Sequence, residues 1–536
     1  MKRIAAAATA VLALVAGCGG GETAGAGPIM GPSDAPVTLR VLAGSELLDL
    51  EPVLTQAGEA TDVRIQLEPI GTLDGAEAVA SGAAETDHDA IWFSSNRYLA
   101  LQPGAQARLG TAIDIMSSPV VLGLRRPVAE RLGWVGRPVT WAEIAAAAGA
   151  RQFTYGMTDP SASNSGFSAV VAVATALVGA GSALTLEQAE STVPALRDFF
   201  AAQTLAAGSS GFLQEAFVRR ATGADPGTPV DGLINYESVL QGMNAAGTLP
   251  EPLELIRPAD GVVTGEYPFT VLAAASPEAR DAHRRLAEYL RTPDVQREIA
   301  ERTHRQPAVP GVVPTPSGTA VELPFPAQAD VVEALLTSYF DKLRRPSRTI
   351  YVLDTSGSMA GDERIGALQR SLAGLAGADP SLTGQFRRFR GREQVTLLPF
   401  NTTPESPQTF TVAEENPAPD RQRIADAGAA LLPGGDTAIY DSLQAAFRIA
   451  EQQSAADPDR FTSIVLMTDG ENTSGADIAA FRAFVGSRPA VPVFCVLFGE
   501  SSVEEMEEVA RLTGGRTFDA RTAPLAEVFK EIRGYV

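Results

Sequence analysis

Cysteine and histidine are nearly missing from this sequence, with two and three copies in 536 residues. His88, His283 and His304 lie far apart, and there is no HExxH, phosphate-binding P-loop or Gly-x-Ser-x-Gly elbow, so hydrolytic and nucleotide chemistry have no visible machinery. Cys495 sits in the strand-like run Val493-Phe494-Cys495-Val496-Leu497 and reads as a buried thiol. Positive charge is also in deficit: 43 Lys and Arg stand against 64 Asp and Glu, a net charge of −21. Removing residues 1–17, which hold Lys2 and Arg3 and no acid, leaves −23. That balance argues against nucleic acid and anionic lipid surfaces as electrostatic partners. Beyond the N-terminus no stretch reaches about 18 uninterrupted apolar residues, which excludes a membrane-spanning helix.

What is present is ordinary globular material, 45% hydrophobic and 20% charged, long enough for about three domains. Its most informative stretch is Asp354-Thr355-Ser356-Gly357-Ser358. The apolar run Thr349 to Leu353 before it predicts a buried strand, with the aspartate at its carboxyl end and both serines in the loop beyond. Gly434-Gly435-Asp436-Thr437 precedes a helical pattern, and Ser463 to Thr468 is a second buried strand ending at Asp469-Gly470. Loops at the carboxyl ends of parallel strands converge in one crevice, so three distant segments offer hard oxygens to one ion. These segments together resemble the metal-ion-dependent adhesion site of von Willebrand factor A domains. The resemblance covers roughly the last 190 residues and implies a divalent cation, Mg²⁺ first with Mn²⁺ or Ca²⁺ as alternatives, held by Asp354, Ser356, Ser358, Thr437 and Asp469, partly through water. It further implies a protein partner that offers an Asp or Glu carboxylate to the ion.

The first 17 residues pair a basic start with the apolar run Ile4 to Ala16, an export signal. Leu14-Val15-Ala16-Gly17-Cys18 resembles a bacterial lipobox, which implies lipidation of Cys18 and an anchor on the extracytoplasmic face of the cell membrane. Residues 18–36 read as a flexible tether. With Cys18 lipidated, Cys495 has no partner and no disulfide supports the fold.

Residues 37–343 alternate strands and helices, with hydroxyls recurring where strands stop. The lipobox, the length, the opening Val41-Leu42-Ala43-Gly44-Ser45 and the Ser-rich turns resemble the two-lobed solute-binding proteins of ABC importers. The resemblance implies a small solute between two lobes, an ABC permease as partner, and Ser45, Ser95, Ser118, Ser163, Asn164, Ser165 and Tyr236 as candidate ligand contacts. Ser45 is placed as a helix N-cap, and the chain is expected to cross between lobes near Val121 to Arg125 and Leu255 to Val263. Glu237 beside Tyr236 would repel a bare oxyanion if it faced the cleft.

Gln306 to Pro326 carries six prolines and marks a crossing segment, and a helix from Ala329 to Leu343 leads to the boundary before residue 348. Residues 348–536 then read as a doubly wound, Rossmann-like domain with room for one antiparallel edge. The expected fold class is therefore α/β throughout: a periplasmic-binding-protein-like region followed by a type A domain. Asp, Ser and Mg²⁺ also occur in phosphoryl-transfer sites, but no base is positioned beside these motifs, so the expectation is a binding protein and not an enzyme. The leading reading is cation-mediated capture of a protein, and the alternative is solute delivery to a permease.

Overall fold

The computed structural model describes residues 36–535 apart from 180, 314–320, 500 and 523. The signal, Cys18 and nearly all of the tether lie outside the described residues. Among the described residues no helix is long and apolar enough to cross a membrane. The described residues from Val37 onward form three sheets.

In the first, Val37–Gly44 lies between Val63–Ile70 and Ala90–Trp92, parallel to both, and Pro268–Leu272 and Leu109–Asp114 extend it antiparallel. The helix Glu51–Thr61 supplies the crossover between the first two strands and buries Val53, Leu54 and Ala57. The second sheet is organised by the long strand Met116–Arg125. Gly232–Tyr236 pairs antiparallel along one side, followed by Tyr155–Thr158 and Gln203–Ala207. Thr264–Gly265 and Leu253–Ile256 lie on the other side, and Gln306–Pro307 pairs antiparallel with Met116 and Ser117. Pro119, which has no N–H to give, is tolerated because only a two-residue strand lies opposite.

The lobe crossings differ from expectation. Leu122 to Arg125 pair with Leu253 to Ile256 inside the second sheet, so the chain passes between lobes earlier, at Ile115, and returns at Glu266 and Tyr267. Pairing on both sides keeps Met116–Arg125 continuous, and the return is turned by Tyr267 at φ 47°.

The third sheet runs Gln408–Thr411, Gln394–Phe400, Ser347–Asp354, Phe461–Thr468, Val493–Leu497, Thr517–Asp519, all parallel except the antiparallel edge Gln408–Thr411. Ser347–Asp354 is buried along its whole length, as a central strand covered on both faces must be. Helices Arg364–Ala373 and Leu525–Ile532 cover one face, and Ile439–Ala456, Ile478–Val485 and Val503–Thr513 the other. The chain leaves Ser347–Asp354 toward Gln394–Phe400 and later returns on its opposite side at Phe461–Thr468. The ends of Ser347–Asp354 and Phe461–Thr468 therefore flank the switch point of the sheet.

This C-terminal domain is built into the rest. A single apolar cluster runs from Leu205 and Phe217 of the second lobe to Phe494, Phe518 and Tyr535. At its edge an added Cβ on Gly534 would come within 3.0 Å of Gly208 Cα, so backbone meets backbone. The connecting helix Ala329–Ser338 and its wide last turn Tyr339–Leu343 sink into the N-terminal core, where Tyr339 donates to Gln203 at 3.0 Å. The first lobe is held too: Arg387 donates to Asp74 at 2.7 Å, and the Thr383 amide and hydroxyl donate to Glu77 at 3.0 and 2.9 Å.

Candidate metal centre and solute cleft

At the carboxyl end of the third sheet, Asp354 is fully buried. Its Oδ1 accepts the Ser356 amide at 2.8 Å and its Oδ2 the Thr468 hydroxyl at 2.7 Å. The Ser356 and Ser358 hydroxyls lie 2.9 Å apart, and Ser358 donates to Asp469 Oδ1 at 2.7 Å. Two backbone bonds bring the third loop alongside: Gly357 N–H to the Gly435 carbonyl at 2.9 Å and Gly434 N–H to the Thr355 carbonyl at 2.7 Å. Thr437 is buried at the end of that loop, its amide accepted by the Thr473 hydroxyl at 3.0 Å. Asn472 accepts the Ile439 amide at 2.8 Å and so fixes the start of the helix that follows. Burial pushes the Asp354 carboxyl above its ordinary range; hydrogen bonds from Ser356 and Thr468 pull it back, and nearby Asp469 adds to the rise.

These residues fit a small hard cation. Neighbouring ligands of an octahedral Mg²⁺ at 2.0–2.1 Å are separated by about 2.9 Å. The spacings from Ser356 to Ser358 and from Ser358 to Asp469 are 2.9 and 2.7 Å, so these oxygens need not part to share an ion. Among the described residues no group of three His, Cys, Asp or Glu is placed to hold a metal; a site here draws on hydroxyls. Around it Asp362, Glu363, Asp436 and Glu471 are exposed, and Leu432 on the same loop as Thr437 is 79% exposed. Sequence reasoning missed Arg364, whose Nη1 donates to Asp469 Oδ2 at 2.8 Å.

Between the lobes lies a cavity of about 440 Å³ lined by Ser45, Ser163 and Asn164 among others. Ser94 and the half-buried Glu46 line it as well, and neither was read from the sequence. Tyr236 stands one bond behind the wall: its hydroxyl donates to Ser94 at 2.7 Å and accepts from Asn164 at 2.9 Å. Ser95, Ser118 and Ser165 do not line it. Ser95 accepts the Arg97 amide, Ser118 the Ser238 amide, and Ser165 bonds Thr158, Ser163 and Ser210. Ser45 is not the N-cap: the 3-10 turn Ser45–Leu50 begins at Gly44 without a side-chain cap. That turn is fixed by Arg305, whose buried guanidinium donates to both Asp49 oxygens at 2.7 Å and to the Glu46 carbonyl at 2.9 Å. Glu237 is turned away and bound by Arg257 through two 2.7 Å bonds.

Residues 39–302 match the family model of bacterial extracellular solute-binding proteins, and residues 349–471 match that of the von Willebrand factor type A domain. The chain joins a solute-binding-protein domain to a type A domain. Among solved structures, the periplasmic binding protein AfuA from Actinobacillus pleuropneumoniae, with fructose-6-phosphate bound, is 12% identical over 57% of this chain and 98% of its own, at a TM-score of 0.42. Iron-bound HitA from Pseudomonas aeruginosa is 15% identical over 56% of this chain and 98% of its own, also at 0.42. A von Willebrand factor type A protein from Catenulispora acidiphila is 18% identical over 36% of this chain at 0.29, and this chain spans only 42% of it. No curated protein matches the chain.

The type A domain is itself a wall of the cavity. Arg387, Arg516 and Glu531 line it, with Arg516 stacked on Phe212 of the second lobe and donating to Glu531 at 3.3 Å. The opposite edge of the type A sheet, where Asp354 and Asp469 converge, carries the exposed rim.

Proposed function

We propose that this chain is an extracytoplasmic binding protein without catalytic activity, anchored through Cys18, whose type A domain takes a divalent cation and through it an acidic group of a protein partner. The observation that carries the reading is the convergence of Asp354, Ser356, Ser358 and Asp469, joined at 2.7–2.9 Å, at an edge turned away from the solute-binding lobes. Asp354 and Asp469 would supply charge, and the serines with Thr437 neutral oxygens. When bound, the cation offers an acidic group a positive centre that the rim of Asp362, Glu363, Asp436 and Glu471 would otherwise repel. Leu432 supplies an apolar contact beside it. Calorimetric titration of the full chain with Mg²⁺ and Mn²⁺ tests this: saturable uptake is expected, lost in Asp469→Ala. A folded parent chain that gives no uptake would sink the reading.

A second reading, solute capture for an ABC permease, is supported by the family match and the hydroxyl-lined cavity of about 440 Å³. Mass spectrometry of the chain purified under non-denaturing conditions is expected to find a small non-covalent adduct that Asn164→Ala reduces. A bare mass in every gentle preparation counts against it.

A further inference from the structure

Arg364 stands at the metal centre although no part of the motif calls for it. Its Nη1 donates to Asp469 Oδ2 at 2.8 Å and its Nη2 to Asp362 Oδ2 at 3.2 Å. The Asp469 side chain is 0% exposed and that of Arg364 19%, so a buried carboxylate has a guanidinium as its charge partner. Hydrogen bonds to the two oxygens divide their work: Oδ1 accepts from Ser358, and Oδ2 from Arg364.

The backbone is bent to deliver this contact. Asp362 and Glu363, directly before the helix that Arg364 opens, are both left-handed at φ 48° and 54°, a region L side chains avoid. On the far side Gly499 is left-handed at φ 61°, and a Cβ there would come within 2.7 Å of the Asp469 carbonyl oxygen and 3.0 Å of Arg364 Nη1. Two strained residues and one glycine thus frame a single ion pair.

We propose that Arg364 is a built-in counter-cation that neutralises Asp469 when no metal is present and competes with the divalent ion for that carboxylate. This rests on the cation reading of the site. A guanidinium and a divalent ion on the same carboxylate repel each other, so Arg364 holds the affinity of the ion down. The same guanidinium gives an incoming acidic group a second cation, which favours loading of the ion and capture of the partner together.

The test titrates the full chain with Mn²⁺ and with Mg²⁺ alone, comparing the parent with Arg364→Ala and Arg364→Lys, and melts each in EDTA and in saturating Mn²⁺. Arg364→Ala is expected to bind Mn²⁺ at least tenfold more tightly, while Arg364→Lys, which keeps the charge, stays near the parent. In EDTA the alanine variant is expected to melt lower, because Asp469 is left buried without a charge partner, and Mn²⁺ should restore it. If Arg364→Ala does not fold in EDTA, Arg364→Gln retains a donor for Asp469 and gives the same comparison. Equal or weaker binding by the neutral variants overturns the proposal and leaves the cation reading intact. No uptake by any chain removes the cation reading and this proposal with it.

Discussion

Single carboxylates decide much of this molecule, and their surroundings set opposite signs. Glu393 is buried against two arginines: Arg533 Nη2 donates to its oxygens at 2.6 and 2.7 Å, and Arg344 reaches it from the connecting turn. Burial alone would raise this carboxyl, but Arg533 and then Arg344 outweigh it and hold it below the ordinary range. A folded-state value below the unfolded one contributes stability above the unfolded pKa of about 4.3, lost as pH falls through the folded value. Glu393→Gln leaves two buried guanidinium groups short of charge and is expected to cost about 3–5 kcal/mol. Denaturant melts at pH 7 and pH 3 check this: the gap between parent and variant should be large at the first and shrink at the second. Asp354 goes the other way, raised chiefly by burial. Arg364 and Asp469 escaped the sequence reading as a pair because nothing local marks an arginine 105 positions away in sequence.

At the scale of elements, the strands of the type A domain were legible because each is a short apolar run. Gln394–Phe400 is one such run, and the helix Leu525–Ile532 shows an amphipathic pattern. The antiparallel edge Gln408–Thr411 and the helix Ala418–Ala429 lie within Asn401 to Pro433, a stretch rich in Pro and Glu where periodicity is weak and tertiary pairing decides. The lobe crossings fall earlier and later than expected because the sequence marks Pro119 to Leu124 as a strand but not which sheet its ends join. Pairing on both sides instead carries Met116–Arg125 through. Serines before helices were the weakest signal. A hydroxyl at a strand end can line a cavity, as Ser163 does, or close an internal bond, as Ser118 does, and the spacing is the same.

For the whole molecule the consequence is that the type A domain is no appendage. It closes the core of the second lobe through Phe494, Phe518 and Tyr535, ties the first lobe through Asp74 and Glu77, and walls the cavity with Arg387, Arg516 and Glu531. Residues 37–343 expressed alone would expose Leu205 and Phe217. Each such side chain carries roughly 1.5–3 kcal/mol of burial energy. The truncated chain is expected to melt well below the full chain or to self-associate, read by calorimetry and size-exclusion chromatography. A truncated monomer with an unchanged melting temperature would show that the two parts are energetically independent.

The sequence by itself determined the α/β class and the order of the strands in the type A domain. Each depends on residues adjacent to a strand end, and strand ends are written locally as a stop in apolar pairing. Only the tertiary structure decided that Arg364 faces Asp469, that Ser94 and Glu46 replace Ser95 at the cavity, and that a third wall comes from a domain some 300 residues further on. Those contacts are made by long or half-buried polar side chains, whose partners depend on which surfaces fold together, and no local pattern records that.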